Sequence, residues 1–248
     1  VDRLVYIAAS GAQQLLQQQA VTAHNLANAS TTGYKAETAT FLPAQVVGPG
    51  LPTRAYAIDT TPGANLAAGT LQDTGRDLDV AIDGEGFFVV QGKDGTEEYT
   101  RNGSFDVSAE GDLITRTGLT VLGDGGPITV PPDSKITIGR DGTVSAVNVG
   151  QSAASVNVIG QLKLVKPAPT DIAKAGDGLF RSKTGVPLEA DSGVTLVSDR
   201  LESSNVDPIS AMVDMINLAR QFDLQMKLVQ NVDQNEQRAT ELLSSGGS

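Results

Sequence analysis

The residue types that carry chemistry are few in this chain. Its 248 residues include one histidine, His24, and no cysteine. A histidine-based triad needs more than a lone ring, and a zinc site needs three or four nitrogen or sulfur ligands, so these counts support neither. His24 lies in a helix-forming stretch near Thr22, Asn25 and Asn28, where a packed or interfacial ring is the expectation. Gly84-Glu85-Gly86-Phe87-Phe88-Val89 opens like a dinucleotide fingerprint. It lacks the third glycine and enters a β-rich run instead of the helix that would face a pyrophosphate. Asp77, Asp79 and Asp83-Gly84 have neither the spacing nor the downstream glutamate of a calcium loop and read as turn aspartates. With 29 acidic residues a carboxylate pair is always available, but no Trp and four Tyr leave few stacking platforms for a sugar cleft. The sequence points to no catalytic residue, no cofactor and no metal ligand.

With so little chemistry to place, the elements themselves carry the information. Aromatics are only 4% of the chain, which argues against a core rich in large aromatic side chains. The 18 basic and 29 acidic residues give a net charge of −11. Such a surface repels phosphate backbones and anionic lipid, which argues against nucleic-acid and electrostatic membrane binding. The longest apolar run near the N-terminus, Leu4 to Ala9, is followed at once by Ser10, Gly11 and a glutamine-rich stretch, so it does not read as a cleaved secretory signal. No apolar run has the length of a membrane span, and no direct membrane insertion is expected.

Both ends read as helices. Residues 2 to 29 hold no proline and one glycine, with Val5, Ala8, Ala9, Ala12, Leu16, Ala20, Ala23 and Ala27 at helical spacing. Leu4, Ile7, Leu15, Val21 and Leu26 widen that stripe beyond one face, so the helix needs partners on several sides. It should stop near Ser30-Thr31-Thr32-Gly33, where Gly33 can turn left-handed. At the other end Asp207 can cap a helix whose first residue is Pro208. Met212, Met215, Ala219, Phe222, Met226 and Val229 then recur in three- and four-residue steps, a coiled-coil-like seam. From Pro208 to about Leu243 the helix would run about 54 Å.

The middle changes period. Residues 36 to 75 are rich in Pro, Gly, Thr and Ala and read as an extended connector with short strands. From Leu78 to about Val197, Asp-Gly and Asn-Gly pairs at positions 83, 94, 102, 124 and 141 separate β-rich runs such as Phe87-Phe88-Val89-Val90, and hairpins are expected at them. The fold class is therefore α+β: long N- and C-terminal helices packed as a coiled-coil-like pair, an extended connector, and a mainly β middle domain. The expected boundaries are 1–34, 35–77, 78–200 and 201–248.

Three separated motifs carry a resemblance. Asn25-Leu26-Ala27-Asn28-Ala29-Ser30-Thr31-Thr32-Gly33-Tyr34-Lys35 resembles the N-terminal signature of the bacterial flagellar basal-body rod and hook proteins. Leu201-Glu202-Ser203-Ser204-Asn205-Val206-Asp207-Pro208 is similar to their C-terminal signature, and Asp79–Phe88 with Tyr99–Phe105 to their shared β domain. The short connector before Thr60-Thr61-Pro62-Gly63, the run Val130-Pro131-Pro132, and Leu162–Lys166 look most like the proximal-rod member of that family. The resemblance implies terminal helices paired in an inner tube with the β domain outside. It implies export through the flagellar type III apparatus without a cleaved signal, and a place in the periplasmic rod of the basal body.

The expected function is mechanical: a structural, non-enzymatic subunit of a torque-transmitting shaft, in contact with copies of itself and with other proximal- and distal-rod subunits. The residues expected to carry assembly are Leu15, Leu16 and Leu26 on the first helix and Met215, Phe222, Met226 and Val229 on the second. Asn25 and Asn28, one turn apart, can fix register, although helix termination explains Asn28 equally well. A distal-rod subunit of the same family is the nearer alternative. A secreted β-domain enzyme would need convergent acids within 78 to 197 and leaves the amphipathic ends unexplained, and an adhesin predicts a stable monomer.

Overall fold

The computed structural model describes residues 2–39, 41–45, 55–59, 63–148 and 156–245. Thr60, Thr61 and Pro62 of the connector motif and the tail Gly246-Gly247-Ser248 lie outside the described residues, as do the side chains of Leu4, Val5, Ile7 and Ala8. The chain is α+β and forms two compact units. Unit 1 comprises 1–27, 37–63 and 207–248; unit 2 comprises 28–36 and 64–206.

Unit 1 holds the two helices, α1 (Asp2–Ala27) and α2 (Pro208–Ser245), packed against one another. It also holds an antiparallel hairpin pairing Phe41–Gln45 with Ala55–Asp59. Asp207 caps α2 as its sequence implies: its carboxylate accepts the amide of Ile209 (3.0 Å) and the hydroxyl of Ser210 (2.6 Å). Those two bonds hold the Asp207 carboxyl below its ordinary range.

Unit 2 contains no α-helix among its described residues and is built from short antiparallel strands. Its largest sheet has the order Leu164–Val165, Phe87–Gln91, Glu97–Thr100, Phe180–Ser182, Ile172–Lys174. A second sheet joins Ser134–Ile138, Thr143–Asn148 and Asn157–Gln161. Alternation explains how one strand serves two cores. Phe88 and Val90 enter an aliphatic cluster with Phe105, Leu113 and Leu196, while Phe87 and Val89 enter another with Tyr99 and Phe180. The rings Phe88–Phe105 meet edge-on at 5.2 Å, and Phe87–Phe180 meet tilted at 5.0 Å.

The turn signals divide. Asp94-Gly95 and Asp141-Gly142 close hairpins, with Asp94 and Asp141 each bonding the threonine two residues on. Asp83-Gly84 and Asn102-Gly103 do not: Val80–Asp83 pairs with Thr195–Ser198, and Phe105–Val107 with Leu113–Thr115. A turn pair fixes a local change of direction and leaves open which strand lies alongside. The structure also corrects the end of α1. The helix stops at Ala27, and Asn28 makes the stop, its carbonyl accepting the amide of Thr31 (3.1 Å) and its side chain the hydroxyl of the same residue. Gly33 is left-handed (φ 68°) but lies six residues past the helix.

Candidate assembly interface

The two helices of unit 1 hold the side chains the sequence singled out. Along α2, burial repeats at Ala211, Met215, Leu218, Phe222, Gln225, Val229 and Val232, steps of four and three residues. This buried stripe differs from the expected seam at alternate positions. Met215, Phe222 and Val229 lie on it. Met212, Ala219 and Met226 are exposed, and the next residue toward the N-terminus takes each of those turns. Ala211 and Leu218 are apolar but Gln225 is not, so apolar spacing favours the flank that carries Met212 and Met226, whereas packing on the partner helix selects the other.

On α1 the side facing inward carries Ala12, Leu15, Gln18, Thr22 and Leu26, all buried or half-buried. Leu16 is 50% exposed, and Ala9, Ala20, Ala23 and Ala27 are exposed with it. Of the stripe read from spacing, Ala12 is thus buried, while Ala9, Leu16, Ala20, Ala23 and Ala27 form the outer side of α1 in the single chain. Gly11 shows how near the helices come. A Cβ there would lie 2.9 Å from the side-chain nitrogen of Gln225.

The C-terminal turn of α1 is tied to the chain that returns along it. Asn25 donates its amide to the carbonyl of Glu37 (2.9 Å) and accepts the Glu37 N–H (2.8 Å). His24 Nδ1 stands 3.0 Å from the Glu37 carboxylate. Asn25 thus holds the extended segment at Glu37 against the end of α1. His24 pairs with a carboxylate. Glu37 was not among the residues expected to matter, and an acid twelve residues after an asparagine offers no periodic signal.

What the pair can do follows from the faces it leaves bare. Of the twelve large hydrophobic side chains exposed among the described residues, eight lie on α1 and α2, which concentrates the unsatisfied apolar surface there. On α2, Ile209 (75% exposed), Val213 and Ile216 each precede a seam residue by two positions, about 200° around the helix. Leu224 extends that outer side. Over its N-terminal turns α2 is apolar on two opposite sides and covers one; Arg220, Asp223 and Lys227 continue the outer side. Beside it, α1 and α2 frame a shallow groove lined by the polar side chains of Gln18, Thr22, Asp214, Asn217 and Gln221, suited to hydrogen bonds with another helix. Among the described residues no group of three His, Cys, Asp or Glu side chains is placed to hold a metal ion.

Comparison with known proteins agrees with these elements in chain order. Residues 5–35 match the flagella basal body rod protein family, residues 81–146 the D1 domain of the flagellar hook protein FlgE/F/G family, and residues 197–242 the C-terminal domain of flagellar basal body rod FlgEFG proteins. The flagellar basal-body rod protein FlgF of Salmonella typhimurium is 47% identical, over 98% of this chain and 99% of that protein. FlgF of Escherichia coli is 45% identical over the same shares. The flagellar basal-body rod protein FlgG of Agrobacterium fabrum is 34% identical, over 94% of this chain and 96% of that protein.

Proposed function

The chain belongs to the flagellar basal-body rod protein family, and on that premise we infer that it is a structural subunit of the proximal rod, a shaft that transmits torque. It is not an enzyme, and its partners are other rod components. The identity of 47% and 45% to FlgF proteins against 34% to a FlgG protein supports the proximal over the distal position.

One observation carries the mechanism: the N-terminal turns of α2, from Ile209 to Leu218, are apolar on two opposite sides and the single chain covers only one. The covered seam pairs α1 with α2 in coiled-coil fashion. The outer face, with Leu16 and Met226 at its flanks, seats helices of neighbouring subunits. Each such side chain contributes about 1.5–3 kcal/mol when fully buried. A contact between two different faces propagates, and where its rotation does not close it builds a helical tube. Residues 1–34 and 201–248 form the inner tube in this reading, 35–77 the connector and 78–200 the outer domain. The subunit reaches the periplasmic span through the flagellar type III export apparatus.

Cross-linking mass spectrometry on basal bodies purified from the source cells tests this. Lys227, exposed on α2, should link to other rod subunits and to further copies of this chain. Absence of the protein from those basal bodies overturns the reading.

A further inference from the structure

The assembly reading leaves unexplained why the motifs of the sequence signatures include so many buried polar residues in unit 2. They meet at one carboxylate. Glu202, 1% exposed, accepts Lys35 Nζ (2.6 Å) and the Gly69 N–H (2.7 Å) on Oε1, and Arg101 Nε (2.7 Å) on Oε2. Lys35 and Arg101 are themselves 1% and 3% exposed. Both bond the backbone as well: Lys35 Nζ reaches the Ala67 carbonyl (2.7 Å), and Arg101 reaches those of Gly86 (2.8 Å) and Gly84 (2.9 Å). Burial pushes the Lys35 ammonium below its ordinary pKa, with the Glu202 bond opposing it.

Backbone bonds run through the same locus. The Gly33 N–H donates to the Glu202 carbonyl (2.7 Å), which brings residue 33 onto Arg101; a Cβ at Gly33 would stand 2.5 Å from the Arg101 carbonyl carbon. Asn205 accepts the Ala36 N–H (2.7 Å) and donates to the carbonyls of Asn65 (2.8 Å) and Ala67 (2.9 Å).

Chain connectivity gives this cluster a role. The chain passes between the units four times, at 27/28, 36/37, 63/64 and 206/207. Inside unit 2 the segments that begin or end at those passages are 28–36, 64–69 and 202–206, the ones tied together here. We propose that the Lys35–Glu202–Arg101 cluster, with Asn205, is a mechanical clasp that makes these segments bear load as one piece and hands it to the β sheets through Arg101. Buried ion networks add little net stability over apolar packing, but breaking one partner strands the others' charges, so such a clasp resists partial opening. The proposal concerns the subunit's own interior and holds whatever the helices assemble with.

Optical tweezers on the full chain test it. The chain has no cysteine, so Glu110→Cys on an exposed turn of unit 2 and Ile209→Cys on α2 give two unique handles. At constant force, Glu202→Gln should shorten the lifetime of the first rupture on the order of 100-fold, since forced opening follows the unfolding rate. Leu113→Ala, in the aliphatic core away from the clasp, should shorten it far less. Asn205→Ala, which keeps all three charges, should shorten it by an intermediate factor, and it decides the matter if Glu202→Gln does not fold. A first rupture unaltered by Asn205→Ala, or shortened as much by Leu113→Ala as by Glu202→Gln, overturns the proposal.

Discussion

Unit 1 and unit 2 solve burial in opposite ways. In unit 2, strand Phe87–Gln91 is covered on both faces, and the charges of Lys35, Glu202 and Arg101 find partners a few ångströms away. In unit 1, α2 keeps Ile209, Val213, Ile216 and Leu224 in solvent while packing its other side on α1. Unit 2 is a finished core, while unit 1 leaves apolar side chains uncovered. On the proposed assembly, folding and assembly depend on different residues of the same chain.

The sharpest way to break that division is a pair of substitutions. Leu113→Ala should cost unit 2 about 2–5 kcal/mol, read by calorimetry, while assembly at permissive temperature survives. Ile216→Asp should leave the unfolding of the dilute chain within about 0.5 kcal/mol and remove incorporation into the basal body. If Ile216→Asp destabilised the dilute chain as Leu113→Ala does, the outer face of α2 would belong to the single chain's fold.

A smaller effect probes the seam. Gly11→Ala adds a methyl against the far end of the flexible Gln225 side chain, which can swing aside. The gain in helix propensity should then prevail, raising the stability of α1 by about 0.5–1 kcal/mol, read as increased helicity by circular dichroism. A loss would mean that the helix pair is as rigidly packed as the β unit.

The smallest effect is a pH dependence. The Asp207 carboxyl is lowered by the Ser210 hydroxyl first and the Ile209 amide second. A depressed acid contributes its stabilisation above its unfolded value, about 3.9, and loses it as pH falls through the folded one. The helical signal of α2 should decline in that acid window, and Asp207→Asn should flatten this part of the profile. An unchanged profile in the variant would show that the cap does not govern the helix.

Much of this was legible because helical and strand periods are local properties. Asp207-Pro208 marked the start of α2, the β-rich run Phe87–Val90 marked a strand, and Met215, Phe222 and Val229 are half-buried on one side of α2. What escaped was long-range. Nothing near Leu218 or Gln225 reveals that α1 lies on their side of the helix, since Met212 and Met226 are equally spaced and more apolar. Lys35 and Arg101 read as motif residues, and their burial depends on a carboxylate far along the chain. Gly33 looked like a helix terminator because its left-handed turn was foreseeable and its neighbour Arg101 was not.

The separation of Lys35 from Glu202, 167 residues, also bears on when this molecule becomes itself. Closing a loop of that length costs on the order of 4–5 kcal/mol of chain entropy before the contact returns anything. Strands Leu71–Asp73 and Val80–Asp83 likewise wait for Arg200–Glu202 and Thr195–Ser198. Contacts so remote in sequence make unit 2 the slow-folding part of the chain, whereas helical turns form and dissolve within about a microsecond. A chain emerging from its N-terminus carries Lys35 and Arg101 uncompensated until nearly all the strands have appeared, so its β unit is completed late.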